Sequence, residues 1–185
     1  MAQELGLIAL ERERWARHPL SYLMEAADDI CYAILDLEDG IEIGMLPYET
    51  VEPLLLKICG GGELLELELA AAPSQRRKMA LLRGKAIDRC IREVADAFVR
   101  QHTRMLKGSY QGDLINDCPG FIREGIAEAK KLARERIFNA RLKVEIEVGA
   151  FTCIDILLDA FCNAAYQLKV SPQMPFRMQR ILDLM

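Results

Sequence analysis

The stretch Glu25-Ala26-Ala27-Asp28-Asp29-Ile30-Cys31-Tyr32-Ala33-Ile34-Leu35-Asp36 repeats its polar side chains every four residues, at Asp28, Tyr32 and Asp36. On a helix, residues at this spacing share one face and lie one turn apart. Apolar residues border that face, so the two acids stand beside an apolar stripe. Because carboxylates are rarely buried without a partner, the pattern predicts structural ion pairs with arginines, or a site for a metal, a base or a ligand.

Helical signals continue on both sides of this stretch. We predict an all-α fold forming a single domain over residues 1–185, with helices at 18–40, 48–58, 64–72, 74–107, 121–138, 143–167 and 176–184. The leucine-rich stretch 64–72 is also compatible with a short strand. Pro19 fits the first position of a helix, Ser74 fits an N-cap, and Gly40 is expected to end the first helix in a left-handed conformation. In the helix at 143–167, the residues expected to point inward are Ile146, Ala150, Cys153, Ile154, Leu157, Leu158 and Phe161.

The composition is ordinary for a soluble globular protein, with 51% hydrophobic and 28% charged residues among 185. A net charge of −4 gives no general attraction to nucleic acid. We expect no membrane association, because no signal peptide is evident and no apolar run approaches the ~20 residues of a membrane span. The six cysteines form no Cys-x-x-Cys pair, which indicates reduced thiols in the cytoplasm rather than a zinc site.

Two separated strings resemble one protein family. His18-Pro19-Leu20-Ser21-Tyr22-Leu23-Met24-Glu25-Ala26-Ala27-Asp28-Asp29-Ile30-Cys31-Tyr32, followed by Asp36-Leu37-Glu38-Asp39-Gly40, is similar to the deoxyguanosinetriphosphate triphosphohydrolases (dGTPases), members of the HD-domain metal phosphohydrolases. Ala133-Arg134-Glu135-Arg136-Ile137-Phe138-Asn139 and Val144 to Ala150 extend the resemblance in the family's order. The resemblance covers nearly the whole chain, but only the C-terminal part of a family protein. It implies an HD-domain-like helical bundle.

The resemblance also implies a divalent metal, Mg²⁺ or Mn²⁺, held by a histidine, a His-Asp pair and a later aspartate. The later aspartate matches Asp28, which the resemblance thereby makes the catalytic metal ligand. The chain contains only His18 and His102, and neither is followed by Asp. Since one carboxylate does not hold such an ion tightly, we expect a fragment or shortened homologue with negligible activity by itself.

In the resembled enzymes, water attacks the α-phosphorus of a deoxynucleoside triphosphate (dNTP), and the products are a deoxynucleoside and triphosphate. The metal stabilises the negative charge that accumulates on the phosphoryl oxygens. Tyr32 would pack under the deoxyribose and leave no room for a 2′-hydroxyl, and Asp36 would accept a hydrogen bond from the 3′-hydroxyl. The alternatives are that Asp28 is a surface acid paired with an arginine and that Tyr32 is a core residue.

A basic run supplies candidates for the triphosphate. Lys130 and Arg134 lie one turn apart on the predicted helix, and guanidinium groups bind phosphate oxygens in pairs. The alternative is a solvated charged face. Phe138 is a candidate for stacking on the base. Glu147 is the candidate for the guanine edge; Glu145 lies on a different helix face, so at most one of the two glutamates serves.

A second basic patch has several interpretations. Its residues are Arg76, Arg77, Lys78 and Arg83. They could form an effector-nucleotide site, a single-stranded DNA contact, an oligomer interface or an ordinary solvated surface; the lack of interleaved aromatic residues disfavours nucleic acid. The resemblance implies a homo-oligomer. The rival interpretation of the whole chain is a non-catalytic helical module that binds nucleotide, oligomerises or regulates.

Overall fold

The computed structural model describes residues 4, 6–11, 14–170 and 175–184. Within these residues it contains a two-stranded sheet, seven α-helices and one π-helical segment, so the predicted all-α fold is confirmed. The elements are β1 (Ala9–Glu11), β2 (Arg14–Trp15), α1 (Pro19–Glu42), α2 (Tyr48–Cys59), α3 (Glu63–Ala71), α4 (Gln75–Leu106), α5 (Gly120–Ala133), the π-helical segment (Arg134–Phe138), α6 (Arg141–Val170) and α7 (Phe176–Leu182). Strands β1 and β2 pair antiparallel and are too short to show an alternating pattern in the sequence.

The chain divides into two compact units, Met1–Ile137 and Phe138–Met185, and each is described by itself. In the first unit, α1 packs on α4 and α5, and α2 packs on the same two helices. The core lies between these four helices. Its fully buried large side chains are Ile30, Ile34, Leu37, Val51, Leu55, Ile58, Leu82, Cys90, Leu114, Ile122 and Ile126.

The helix starts follow the sequence signals. Pro19 opens α1, and His18 Nδ1 accepts a hydrogen bond from the Leu20 amide at 3.2 Å. Ser74 Oγ accepts one from the Arg77 amide at 3.3 Å, which confirms the predicted N-cap of α4. These caps satisfy amides that have no partner within the helix.

Gly40 has a different role from the predicted one. Helix α1 runs past it to Glu42, and the left-handed residue is Gly44, with φ of 74°. Gly40 is buried, and a Cβ atom there would lie 2.6 Å from Ile137 Cδ1 and 2.8 Å from Leu46 Cδ1. The absence of a side chain therefore allows these two residues to pack against α1.

Two thiols are buried in the first unit. Cys90 and Cys118 are shielded from solvent, whereas Cys31 is exposed. Burial disfavours the charged thiolate and raises the pKa of Cys90 to about 12 and that of Cys118 to about 11. Both buried thiols therefore remain protonated at neutral pH.

In the second unit, α6 packs against α7. The expected inward residues of α6 are mostly exposed, including Ile146, Ile154 and Leu157, so this part of the prediction is wrong. The apolar spacing indicates one apolar face of a helix, but it does not specify which other part of the protein covers that face. In length and composition α6 also meets the requirements of a membrane span, a test that core helices of soluble proteins pass as well.

Candidate functional site

One face of α1 carries the predicted acidic site. Asp28 and Tyr32 are exposed, and Asp36 is half-buried one turn further on. Tyr32 has 61% of its surface exposed, so the alternative that it is a core residue is wrong. Across the described residues, Asp28 makes no ion pair with an arginine. The face therefore presents a carboxylate and a phenol ring to solvent.

Asp29, the residue that follows Asp28, forms an ion pair with Lys130, one of the residues predicted to bind phosphate. Lys130 Nζ lies 2.6 Å from Asp29 Oδ1, with 39% and 29% of the two side chains exposed. The packing of α5 on α1 makes this contact. The ammonium group of Lys130 thus pairs with the residue that follows Asp28 in the sequence. The sequence alone does not indicate this pair, because its two residues lie far apart along the chain.

Arg134 begins the π-helical segment that follows α5. The predicted α-helix over 121–138 thus changes its backbone type at this residue. Arg134 is exposed, and Lys131 beside Lys130 is 3.9 Å from Glu135. Short π-helical segments occur often at functional sites, which makes this change of backbone type a second feature of the region.

In the second unit, Lys143 contacts two of the predicted site residues. Its Nζ lies 3.9 Å from the ring centroid of Phe138 and 3.4 Å from Glu147 Oε1. Glu145 pairs instead with Arg141, at 2.7 Å. The four-residue spacing of Lys143 and Glu147 was the available sequence signal, since such residues are neighbours on a helix surface.

The described residues do not form a metal centre by themselves. Among them, no three side chains of His, Cys, Asp or Glu are close enough to hold one ion. Asp28 is therefore not part of a site with three protein ligands within this part of the chain. The residues present do not fit the Mg²⁺ or Mn²⁺ implied by the resemblance, because such ions require several oxygen ligands.

The second basic patch is partly engaged in structural ion pairs. Arg76 lies 3.4 Å from Glu42, and Arg83 lies 2.5 Å from Glu38, both acids on α1. Both acids and Arg76 line a cleft of about 390 Å³, with Ile41 among its other lining residues. The geometry favours the interpretation of a structural, partly solvated surface for this patch.

Comparison with known proteins gives consistent relatives. The chain is 46% identical over its whole length to a deoxyguanosinetriphosphate triphosphohydrolase-like protein of Pseudomonas aeruginosa, and covers 42% of that protein. It is 33% identical to a protein of the same description from Synechocystis sp., over 94% of this chain and 38% of the relative. It is 26% identical to a deoxyguanosinetriphosphate triphosphohydrolase of Yersinia pestis, over 82% of this chain and 33% of the relative.

The chain thus spans less than half the length of these relatives. No protein-family model matches it.

Proposed function

Because the chain belongs to the deoxyguanosinetriphosphate triphosphohydrolase family and corresponds to its C-terminal part, we propose that it supplies substrate contacts for the cleavage of a dNTP, dGTP in particular, to deoxynucleoside and triphosphate. The observation that carries the proposal is the exposure of Asp28 and Tyr32 on α1, together with the ion pair of the adjacent Asp29 with Lys130.

The sugar contacts follow from the spacing on α1. The Tyr32 ring is exposed, and we propose that it packs under a deoxyribose, where it would collide with a 2′-hydroxyl. We propose that Asp36, one turn further along α1, accepts a hydrogen bond from the 3′-hydroxyl.

The phosphate contacts come from the start of the π-helical segment and the turn before it. Lys130 and Arg134 carry positive charges one turn apart, and triphosphate carries several negative charges along its length. On the family resemblance alone, we also retain Phe138 as a proposed contact to the base and Glu147 as a proposed acceptor for its N–H groups.

A divalent metal would need ligands beyond the described residues. Asp28 is the one residue of this chain that we propose as a ligand for Mg²⁺ or Mn²⁺, and we derive no reaction step through the ion. The homo-oligomer and the cytoplasmic location are likewise proposals that come from the resemblance and the composition.

A chimera tests the proposed function. This chain replaces the matched part of the Pseudomonas aeruginosa relative, and release of inorganic triphosphate from dGTP with Mn²⁺ is followed by anion-exchange chromatography. We expect release by the chimera and at least a ~100-fold loss for Asp28→Ala, since removal of a single group that stabilises developing charge costs rates of this order.

The matched control is Asp96→Ala, which removes an exposed acid from α4 and should leave release unchanged. Circular dichroism and gel filtration show whether each variant is folded. A folded chimera that binds dGTP but releases no triphosphate would favour the non-catalytic binding module. Equal release by the chimera and its Asp28→Ala variant would contradict the proposed role of Asp28.

A further inference from the structure

Adjacent aspartates on α1 have different surroundings. Asp28 is exposed and makes no ion pair across the described residues, whereas Asp29 Oδ1 lies 2.6 Å from Lys130 Nζ. The Asp29 and Lys130 side chains are both about one-third exposed. The lysine proposed for phosphate binding therefore already has an anionic partner built into the fold.

We propose that Asp29 is an internal counter-ion of Lys130 that weakens the binding of triphosphate and so favours its release as product. The proposal rests on the proposed function, because that function assigns Lys130 to the phosphates. Asp29 is a positioning residue in this account: it acts on the ligand through the lysine.

Asp29 weakens phosphate binding at Lys130 in two ways. A phosphate oxygen that approaches Lys130 must first compete with the Asp29 carboxylate for the same ammonium group, whose charge the carboxylate already neutralises. The carboxylate also repels the incoming anion, because a contact of 2.6 Å places it beside any phosphate bound to Lys130. When the anion leaves, Asp29 re-forms its ion pair, so the free state is stabilised relative to the bound state.

The neighbouring cation explains why a polyphosphate can still bind. Arg134 lies one turn beyond Lys130 and is exposed, so a ligand with several phosphates can contact both cations at once. Residues four apart on a helix have Cβ atoms roughly 5–6 Å apart. A polyphosphate can thereby offset the competition at Lys130 by its contact with Arg134.

The binding of inorganic tripolyphosphate to the 185-residue chain, followed by titration calorimetry at low ionic strength, tests the proposal. Asp29→Asn keeps the shape of the side chain and removes its charge. We expect tripolyphosphate to bind about threefold to tenfold more tightly to this variant, or to bind measurably where the parent chain shows no binding.

Two further variants separate this mechanism from a general charge effect. In the background Lys130→Gln, the gain from Asp29→Asn should fall by at least half, since the competition for the amine is removed. Glu128→Gln removes an acid of the same helix α5 that pairs with Lys57 at 2.8 Å, and it should not change binding.

No gain in affinity for Asp29→Asn, an undiminished gain without Lys130, or an equal gain for Glu128→Gln would each overturn the proposal. The assay contains neither nucleotide nor metal. A chimera that fails to cleave dGTP would therefore contradict the proposed function without affecting this result. In an active chimera, Asp29→Asn should lower KM for dGTP and also lower kcat, because release of triphosphate becomes slower.

Discussion

Tyr22 donates a hydrogen bond from its buried hydroxyl to the backbone carbonyl of Tyr110, with 2.9 Å between the oxygens. The two rings meet edge to face, with centroids 5.0 Å apart and an interplanar angle of 72°. This contact joins the start of α1 to the segment that follows α4. Removal of the hydroxyl leaves a buried carbonyl without its donor, and a group left unpaired in this way costs its desolvation.

We therefore expect Tyr22→Phe to lower the free energy of unfolding by about 1–2 kcal/mol, measured by urea denaturation. Tyr32→Phe is the matched control, because the Tyr32 ring is exposed on the same helix. The Tyr32→Phe variant should keep the urea midpoint of the parent chain. Equal losses of unfolding free energy for the two variants would contradict the role of the buried hydrogen bond.

Substitution by alanine should change the free energy of unfolding in opposite directions at two glycines that lie within helices. A Cβ atom at Gly84 meets nothing within 4 Å, whereas one at Gly125 would collide with Cγ1 of Ile58. Gly84→Ala should stabilise the protein by about 0.5–1 kcal/mol, through the lower entropy of the unfolded chain. Gly125→Ala should destabilise it by about 1–3 kcal/mol, through overpacking between α5 and α2.

Thermal and urea unfolding of the two glycine variants provide the measurement. The double variant Gly125→Ala/Ile58→Ala tests the cause, because it removes the atom that collides. If overpacking is the cause, the cost of Gly125→Ala should be smaller in the Ile58→Ala background than in the parent chain. An unchanged cost would assign the effect to the backbone of α5.

Stability should fall at alkaline pH because of the buried thiol of Cys90. Burial raises its pKa from 9.0 to about 12 in the folded protein. In the unfolded chain the thiol ionises first, so the stabilisation is fully present below pH 9 and is lost as the pH rises toward 12. The slope from this group is at most about 1.4 kcal/mol per pH unit. Burial also raises the pKa of Tyr110, which extends the loss above pH 10.

Urea denaturation between pH 8 and pH 11 measures this slope. Cys90→Ala should flatten it, although the variant has a lower stability at neutral pH because it loses a buried sulfur. Cys31→Ala, which removes an exposed thiol from α1, should leave the slope as it is. An unaltered slope in Cys90→Ala would exclude this thiol as its source.

The sugar selectivity should depend on the ring of Tyr32. In the chimera, Tyr32→Ala should lower the preference for dGTP over GTP, expressed as the ratio of the two kcat/KM values, by about tenfold to a hundredfold. This range is typical when a packed site no longer excludes a hydroxyl. Tyr32→Phe keeps the ring and should keep the ratio. A ratio that survives Tyr32→Ala would place the exclusion of the 2′-hydroxyl elsewhere.

The sequence was informative where the signal is local. The N-cap of Ser74, the start at Pro19 and the shared face of Asp28 and Tyr32 depend on residues within a few positions of one another, and the structure contains all of them. The extension of α1 past Gly40 was missed because a glycine near a helix end has two uses. It can adopt a left-handed conformation, or it can admit a close neighbour.

What the sequence did not predict depends on contacts between distant segments. Nothing near Asp29 identifies Lys130 as its partner, because the contact exists only after α5 has packed on α1. The apolar spacing of α6 likewise predicts a helix correctly but does not specify its covering surface. The change to a π-helical backbone at Arg134 has no established sequence signature in this stretch.

The packing of α1 has a consequence for synthesis on the ribosome. This helix is translated before α4 and α5, but its buried face rests on both of them, and Gly40 receives the side chain of Ile137. An amphipathic helix gains most of its stability from tertiary packing. During translation, the apolar residues of α1 therefore remain uncovered until the last helix of the first unit has emerged. The nascent chain is most exposed to aggregation, and has most need of a chaperone, during that interval.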